Sequence, residues 1–258
     1  MKKISVAIAT FNEEKNIERL LESVASWTDE IVVVDGSSTD KTVEIVKRYK
    51  TKIIITDNPS IFHINKQKAI NACTSDWTLQ LDADEAVTDE LKDEIIEVIN
   101  LNPKPHTLNP LNGYWIPRKN FFMGKFLMKG GQYPDYTLRL YRKGKGRLPC
   151  KSVHEQAEIE GKTAYLQNSL LHFPYADFYE YLEHFNRYTD IFAQEYRENK
   201  LSLSVGSIIN HIFIKPLHWF LSSFIRHKGF MDGFAGFIFS LFSSLRFPVS
   251  YIKYWRER

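Results

Sequence analysis

Trp77-Thr-Leu-Gln-Leu-Asp82-Ala-Asp84-Glu85 is a mostly apolar run that stops abruptly in three carboxylates. The apolar part reads as a strand buried in a sheet. Carboxylates at the C-terminal end of such a strand lie where open α/β sheets bind ligands. Three crowded acids repel one another unless a cation joins them. Hard divalent ions prefer oxygen ligands, and Mg²⁺ commonly shares one or two carboxylates with substrate phosphates. The stretch therefore predicts a metal–nucleotide site at a strand end.

The residues before it alternate strand and helix patterns. Ile4–Ala9, Ile31–Val34 and Lys52–Thr56 are short apolar runs. Between them, Asn16–Ala25 carries Ile17, Leu20, Leu21 and Val24 on one helical face. Thr39 or Asp40 is placed to cap a helix with Val43, Ile45 and Val46. Ile64–Cys73 reads as helix, and Thr88 can cap another carrying Leu91, Ile95, Ile96 and Ile99. Such alternation predicts an α/β fold with a mainly parallel sheet covered on both faces. Asn100–Asn112, rich in Pro and Asn, is a loop. Gly113–Phe173 mixes short strand-like pieces with Gly-Lys turns. Asp177–Glu198 reads as one long polar-aromatic helix.

Three segments in order carry a family resemblance: Ile4-Ser-Val-Ala-Ile-Ala-Thr10-Phe-Asn12-Glu13-Glu, Ile31-Val-Val-Val-Asp35-Gly-Ser-Ser-Thr39-Asp40, and Asp76-Trp-Thr-Leu-Gln-Leu-Asp82-Ala-Asp84-Glu85. The chain resembles inverting GT-A glycosyltransferases of family 2, enzymes that use nucleotide-sugar donors. Val153-His154-Glu155, Leu171-His172-Phe173 and Lys228-Gly-Phe-Met-Asp232-Gly-Phe-Ala-Gly236 extend the likeness to bacterial lipopolysaccharide inner-core β-1,4-glucosyltransferases. The resemblance implies a GT-A, Rossmann-like nucleotide-sugar domain followed by a helical membrane-associated extension. The expected boundaries are 1–176 for the catalytic domain and 177–258 for the tail, with 1–100 binding the donor and 113–176 facing the acceptor.

The same resemblance assigns residues. Asp84 is the expected ligand of Mg²⁺ or Mn²⁺, with Asp82 on the ribose or a metal-bound water and Glu85 supporting. Asp35 contacts the base or ribose, and Thr10, Asn12 and Glu13 frame that pocket. Asp35 can equally cap a turn before Gly36. Lys68 is placed to meet the diphosphate or to lie on a helix surface. His172 is a second metal ligand or a satisfied core residue. Arg139 and Arg142 suit an anionic acceptor or the diphosphate, with only one expected to face the site. An inverting transfer needs a base for the acceptor hydroxyl. Glu155 is the expected base, His154 its neighbour, and Asp135 the alternative.

Composition sets the outer bounds. A net charge of +3 over 258 residues makes no bulk electrostatic case for nucleic acid. The charge is uneven: Leu201–Arg258 holds seven Lys/Arg against two Asp/Glu, a local +5 that leaves −2 for residues 1–200. That tail also holds nine of the 18 Phe. Its two apolar stretches approach the roughly 20 residues of a membrane span. Asn210, His211, Lys215, Pro216 and His218 interrupt the first, and Asp232 and Arg246 the second. Interfacial helices on an anionic membrane surface fit better than spans. Cys73 and Cys150 form no disulfide framework, and reduced thiols fit a reducing compartment. Met-Lys-Lys before Ile4–Ala9 looks like a signal-peptide start, but the apolar run ends at Thr10, which fits the first strand of a cytosolic domain.

The expected function is transfer of a hexose, with glucose foremost, from a UDP-sugar to a lipid-linked acceptor, the lipopolysaccharide inner core. The expected place is the inner face of the cell membrane. A polyprenyl-linked or capsular acceptor, and a non-catalytic nucleotide-sugar-binding module, are the alternatives.

Overall fold

The computed structural model describes residues 2–101, 110–151 and 156–256. The chain divides into two compact units: up to Arg118 with Asp135–Phe173, and Lys119–Pro134 with Pro174–Arg258.

The first unit is built on β1 (Ile4–Thr10), β2 (Glu30–Asp35), β3 (Lys52–Ile55) and β4 (Trp77–Asp82), parallel in the order β3-β2-β1-β4. Connecting them are α1 (Ile17–Val24), α2 (Thr42–Val46) and α3 (His63–Ala72). β5 (Glu85–Val87) and α4 (Asp89–Leu101) follow directly. Side chains alternate across a strand, and β1 shows the result. Ile4, Val6 and Ile8 pack with Ile17, Leu20, Leu21 and Val24 of α1 and with Leu91, Ile95 and Ile99 of α4. Ala7, with Val32 and Val34, packs on the other face against Ala69, Ile70 and Cys73 at α3. A sheet covered on both faces explains why its strands read as largely apolar runs.

Caps follow the sequence in part. Thr88 accepts from Leu91 N at 3.2 Å, as expected for α4. At α2 the capping acid is Asp40, which accepts from the Thr42 N–H at 2.9 Å and from its hydroxyl at 2.5 Å, one residue earlier than an N-cap proper.

β6 (Leu111–Phe122) runs to the edge of the first unit and beyond it. Its early residues pair antiparallel with β8 (Asp135–Arg142), and β8 pairs antiparallel with β4. β9 (Gly146–Arg147) and β10 (Glu158–Ile159) form a separate ribbon. β11 (Lys162–Tyr165) lies parallel to β6, and β12 (Leu170–His172) pairs antiparallel with β5. Both cysteines are free, and burial pushes the Cys73 thiol up to about 12.

In the second unit, β7 (Lys125–Leu127) forms a hairpin with Asn120–Phe122. Phe122 and Leu127 pack with Tyr181 of α5 (Phe178–Glu198) and Ala235 of α8 (Gly233–Arg256). Asp177 caps α5, accepting from Glu180 N at 2.9 Å. Between these helices lie α6 (Val205–Ile209), a π-helical Asn210–Ile214, α7 (Lys215–Phe220) and a second π-helical Leu221–Arg226. The helical run has large apolar side chains facing outward. Phe213 is 64%, Leu217 60%, Leu221 43% and Ile225 57% exposed. The helical stretch Gly229–Arg256 is long and apolar enough to cross a membrane by length and composition alone, with 33% of its most apolar window buried. Asp232 does not interrupt that helix. It sits at its start and accepts from the backbone N–H groups of Met128 and Lys129, at 3.2 and 2.8 Å.

Candidate active site

The parallel strands deliver the key residues to one end of the sheet. Thr10 of β1 is in register with Asp35 of β2, and Ala9 with Asp82 of β4. β1 has β2 on one side and β4 on the other, so this end is the topological switch point, where open α/β sheets bind ligands.

On the β2 side, Asp35 is buried and its carboxylate accepts from Ser38 N at 2.8 Å and Ser38 Oγ at 2.6 Å. The turn-capping alternative for Asp35 is thus realised. Asn12, at a positive φ of 56°, accepts from Thr39 N at 2.8 Å and its own N–H donates to Ser38 Oγ at 2.8 Å. Asn is among the residues that best tolerate that conformation. The β1–α1 and β2–α2 loops are therefore tied together by side chains. Glu13 N donates to Thr42 Oγ1 at 2.7 Å, and its carboxylate accepts from Asn16 at 2.9 Å. Thr10 Oγ1 is buried and has no hydrogen-bond partner among the described residues. An unsatisfied buried hydroxyl at a strand end is costly unless a ligand completes it.

On the β4 side, Asp82 lies between two cations. It is ion-paired with Lys66 of α3 and accepts from Arg139 of β8 at 2.5 Å. Burial pushes the Asp82 carboxyl up, but Arg139 and then Lys66 outweigh it and hold the carboxyl well below the usual range. Glu85 is fully buried. It accepts from Asp82 N at 2.9 Å, from Arg139 at 2.8 Å and from Arg118 at 3.4 Å. Arg139 also donates to Gln80. Burial works against the charge on Arg139, but Asp82 and Glu85 raise its pKa further still. Arg118 donates from Nε and Nη2 to Asp135 Oδ2 at 2.9 and 2.8 Å. The result is a network of three acids and three cations.

Asp84 stands apart from this network. Its Oδ2 is 3.2 Å from His172 Nε2. The pairing of β12 with β5, which sets His172 opposite Glu85, brings these two together. Both side chains remain partly exposed, at 26% and 14%. An oxygen and an imidazole nitrogen this close suit a divalent ion. No group of three or more His, Cys, Asp or Glu that could hold a metal occurs among the described residues. A carboxylate and an imidazole so placed fit an ion that shares phosphate oxygens and water as further ligands.

The remaining expected residues separate. Lys68 points to the end of β3, donating to Thr56 Oγ1 at 2.8 Å with Asp57 at 3.5 Å. Lys66 is the α3 lysine that reaches β4, because residues two apart on a helix face different ways. Gln67 accepts from Leu148 N at 2.7 Å. Of the β8 arginines, Arg139 faces the acids. Arg142 lies over the Trp77 ring at 4.9 Å and donates to the Leu111 carbonyl. Asp135, the alternative base, is engaged by Arg118. Glu155 and His154 lie outside the described residues. Lys66 and Arg118 are the site cations that the sequence reading missed. Lys66 was within reach of a helical-spacing argument from Lys68, whereas Arg118 depends on the β6–β8 register.

Known proteins resemble this chain in sequence and in fold. The profile of glycosyl transferase family 2 matches residues 5–152. An uncharacterized glycosyltransferase of Rickettsia typhi is 29% identical over 258 aligned residues, covering 96% of this chain and 85% of the relative. The lipopolysaccharide core biosynthesis glycosyltransferase LpsC of Rhizobium meliloti is 28% identical over 245, covering 91% of this chain and 85% of LpsC. Among solved structures, the mannosyltransferase PcManGT of Pyrobaculum calidifontis, in complex with GDP-Man and Mn²⁺, superposes with a TM-score of 0.56. It is 11% identical, with 100% of this chain and 88% of that one covered, which is likeness of fold.

Proposed function

We propose that this chain, which belongs to glycosyl transferase family 2, moves a hexose, glucose foremost, from a UDP-sugar to a lipid-linked saccharide acceptor with inversion at the transferred carbon. The lipopolysaccharide inner core is the acceptor favoured here, because LpsC is similar along most of both chains. The observation that carries the reading is the Asp84–His172 pair at the end of β4, beside a carboxylate network already neutralised by its own cations.

Asp84 and His172 would hold Mg²⁺ or Mn²⁺. The ion supplies charge stabilisation for the departing diphosphate. Thr10, Asn12, Glu13 and Asp35 frame the base and ribose, with the Thr10 hydroxyl offering a partner to the nucleotide. Asp82, anchored by Lys66 and Arg139, keeps a fixed charge toward the ribose. Lys68 is assigned to the donor side of the pocket. Glu155 takes the proton from the acceptor hydroxyl. The outward apolar stripe of the second unit and the basic residues around it favour attachment to the cytoplasmic face of the membrane.

The test is donor turnover. Purified protein with Mn²⁺ and UDP-glucose should release UDP slowly without acceptor, and Glu155→Gln should not. A calorimetric screen of nucleotide-sugars with Mn²⁺ reads base and sugar preference together. Loss of binding on replacing UDP by another nucleotide, but not on replacing glucose, would leave the sugar assignment wrong and the nucleotide assignment standing.

A further inference from the structure

A second pocket, of about 390 Å³, opens within the second unit, and Gly130, Gly131, Ser222, His227, Ser243 and Arg246 are among the residues that line it. Arg246 is its unusual member. Its guanidinium lies 4.3 Å from the Trp219 ring centroid, 4.8 Å from that of Phe247 and 5.7 Å from that of Phe192. Ring faces attract the cation, but they accept none of the in-plane N–H bonds that a guanidinium offers. Among the described residues Arg246 has no carboxylate partner and no hydrogen bond, and the nearby Tyr196 phenol is the ionisable group that favours its charge. Burial accordingly pulls its pKa down. A half-buried arginine left in this state is completed by an anion that matches its planar fork, and phosphate is one that it takes bidentately.

The rest of the lining suits the same ligand. Gly130 and Gly131 hold positive φ angles of 67° and 78°. Nothing lies within 4 Å of where a Cβ on Gly131 would stand, so the chain leaves room there. Ser222 and Ser243 bring hydroxyl donors, and the His227 ring is exposed at the rim. Ser222 also lines a neighbouring opening with Leu221 and Ile225, two members of the exposed apolar stripe. A pocket of mixed lining, with Trp219 and Phe239 beside its hydroxyls, a cation at its wall and an apolar rim, matches a phosphate carried on a lipid.

We propose that this pocket binds the phosphate of a phosphorylated lipid, with Arg246 gripping two phosphate oxygens and Ser222, Ser243 and His227 completing the shell. The site stands on its own geometry; it rests on the membrane-bound acceptor proposed above only for the identity of the phosphate's carrier. It would seat the second unit on lipid by a specific contact, separate from general attraction to negative charge.

The test uses the full chain and two vesicle types of matched surface charge: phosphatidylcholine carrying phosphatidic acid, and phosphatidylcholine carrying oleate. The wild type should prefer phosphatidic acid vesicles, and inorganic phosphate should compete. Arg246→Gln should remove that preference, with a loss of about tenfold or more, the scale of one or two charge-assisted hydrogen bonds. Ser243→Asp places a carboxylate three residues from Arg246 on the same helix. It should fold at least as well as the wild type and also lose the preference, which separates loss of the site from loss of the fold. Equal preference in wild type and both variants overturns the site. Binding of inorganic phosphate without preference for phosphatidic acid overturns the lipid carrier. UDP release from UDP-glucose with Mn²⁺ is measured on the same samples. Its persistence in the variants keeps a failure here distinct from a failure of the donor-site reading.

Discussion

At the scale of the residue, the site separates two kinds of carboxylate. Asp82 and Glu85 are bound by Lys66, Arg139 and Arg118, while Asp84 meets His172. Asp84→Ala should abolish turnover and most metal-dependent UDP affinity, read by calorimetry with and without Mn²⁺. Near-normal turnover in that variant would remove Asp84 from the metal. Glu155→Gln keeps shape and loses proton acceptance, so kcat should fall roughly 10²–10⁴-fold with donor affinity little changed. If Asp135→Asn shows that loss instead, the base is misassigned. Arg139→Leu should cost about 3–5 kcal/mol in chemical denaturation, because it removes the cation that Asp82 and the fully buried Glu85 share. The pH dependence has a definite sign. The folded Asp82 carboxyl lies below its unfolded value of about 3.9. Its stabilising contribution is complete above that pH and disappears as pH falls through the depressed folded value. Asp82→Asn should therefore be less stable near neutrality, and the gap to wild type should close in acid.

At the scale of the element, the first four strands and α1 were legible because each carries its pattern locally, whereas α3, His63–Ala72, shows almost no apolar face and is placed by the strands on either side of it. β1 is apolar at most positions, β4 carries Trp77, Leu79 and Leu81 on one face, and α1 shows one apolar face. Asp82 and Asp84 were legible for the same reason, since a strand end is a local feature. The placement of β8 between β4 and β6 was not. Antiparallel pairing across some sixty residues is set by sheet closure, not by any signal inside Asp135–Arg142. Arg118 and the ties of Arg139 depend on that placement. In the tail, Asp232 looked like an interruption because its partners, the backbone of Met128 and Lys129, are a hundred residues away. Two glycines test the helical packing there. A Cβ on Gly236 would stand 2.0 Å from the Gly229 carbonyl oxygen. Gly236→Ala should therefore destabilise by about 1–3 kcal/mol. Gly206→Ala, where the nearest atom is Ser204 Oγ at 4.0 Å, should be neutral or stabilise by up to about 1 kcal/mol. Thermal unfolding of the two variants side by side reads the contrast; equal shifts would show that Gly236 is not tightly packed.

At the scale of the whole molecule, the exposed stripe of Phe213, Leu217, Leu221 and Ile225 repeats every four residues along one helical run. Changing all four to Ser should abolish co-sedimentation with anionic vesicles and transfer to a lipid-linked acceptor, while UDP release from the donor with Mn²⁺ persists. Unchanged sedimentation would mean that the stripe is not the membrane contact. A surface variant is the right instrument, because Lys119–Pro134 belongs with the residues after Phe173. The same interleaving bears on biosynthesis. While the ribosome has delivered only residues as far as Arg118, β4 has no β8 beside it, and its outer edge waits for a strand not yet translated. The nascent chain must next lay down sixteen residues that belong to the later unit before β8 emerges. Neither unit is thus a continuous stretch of the gene, and a premature stop anywhere before Phe173 deprives both of them at once.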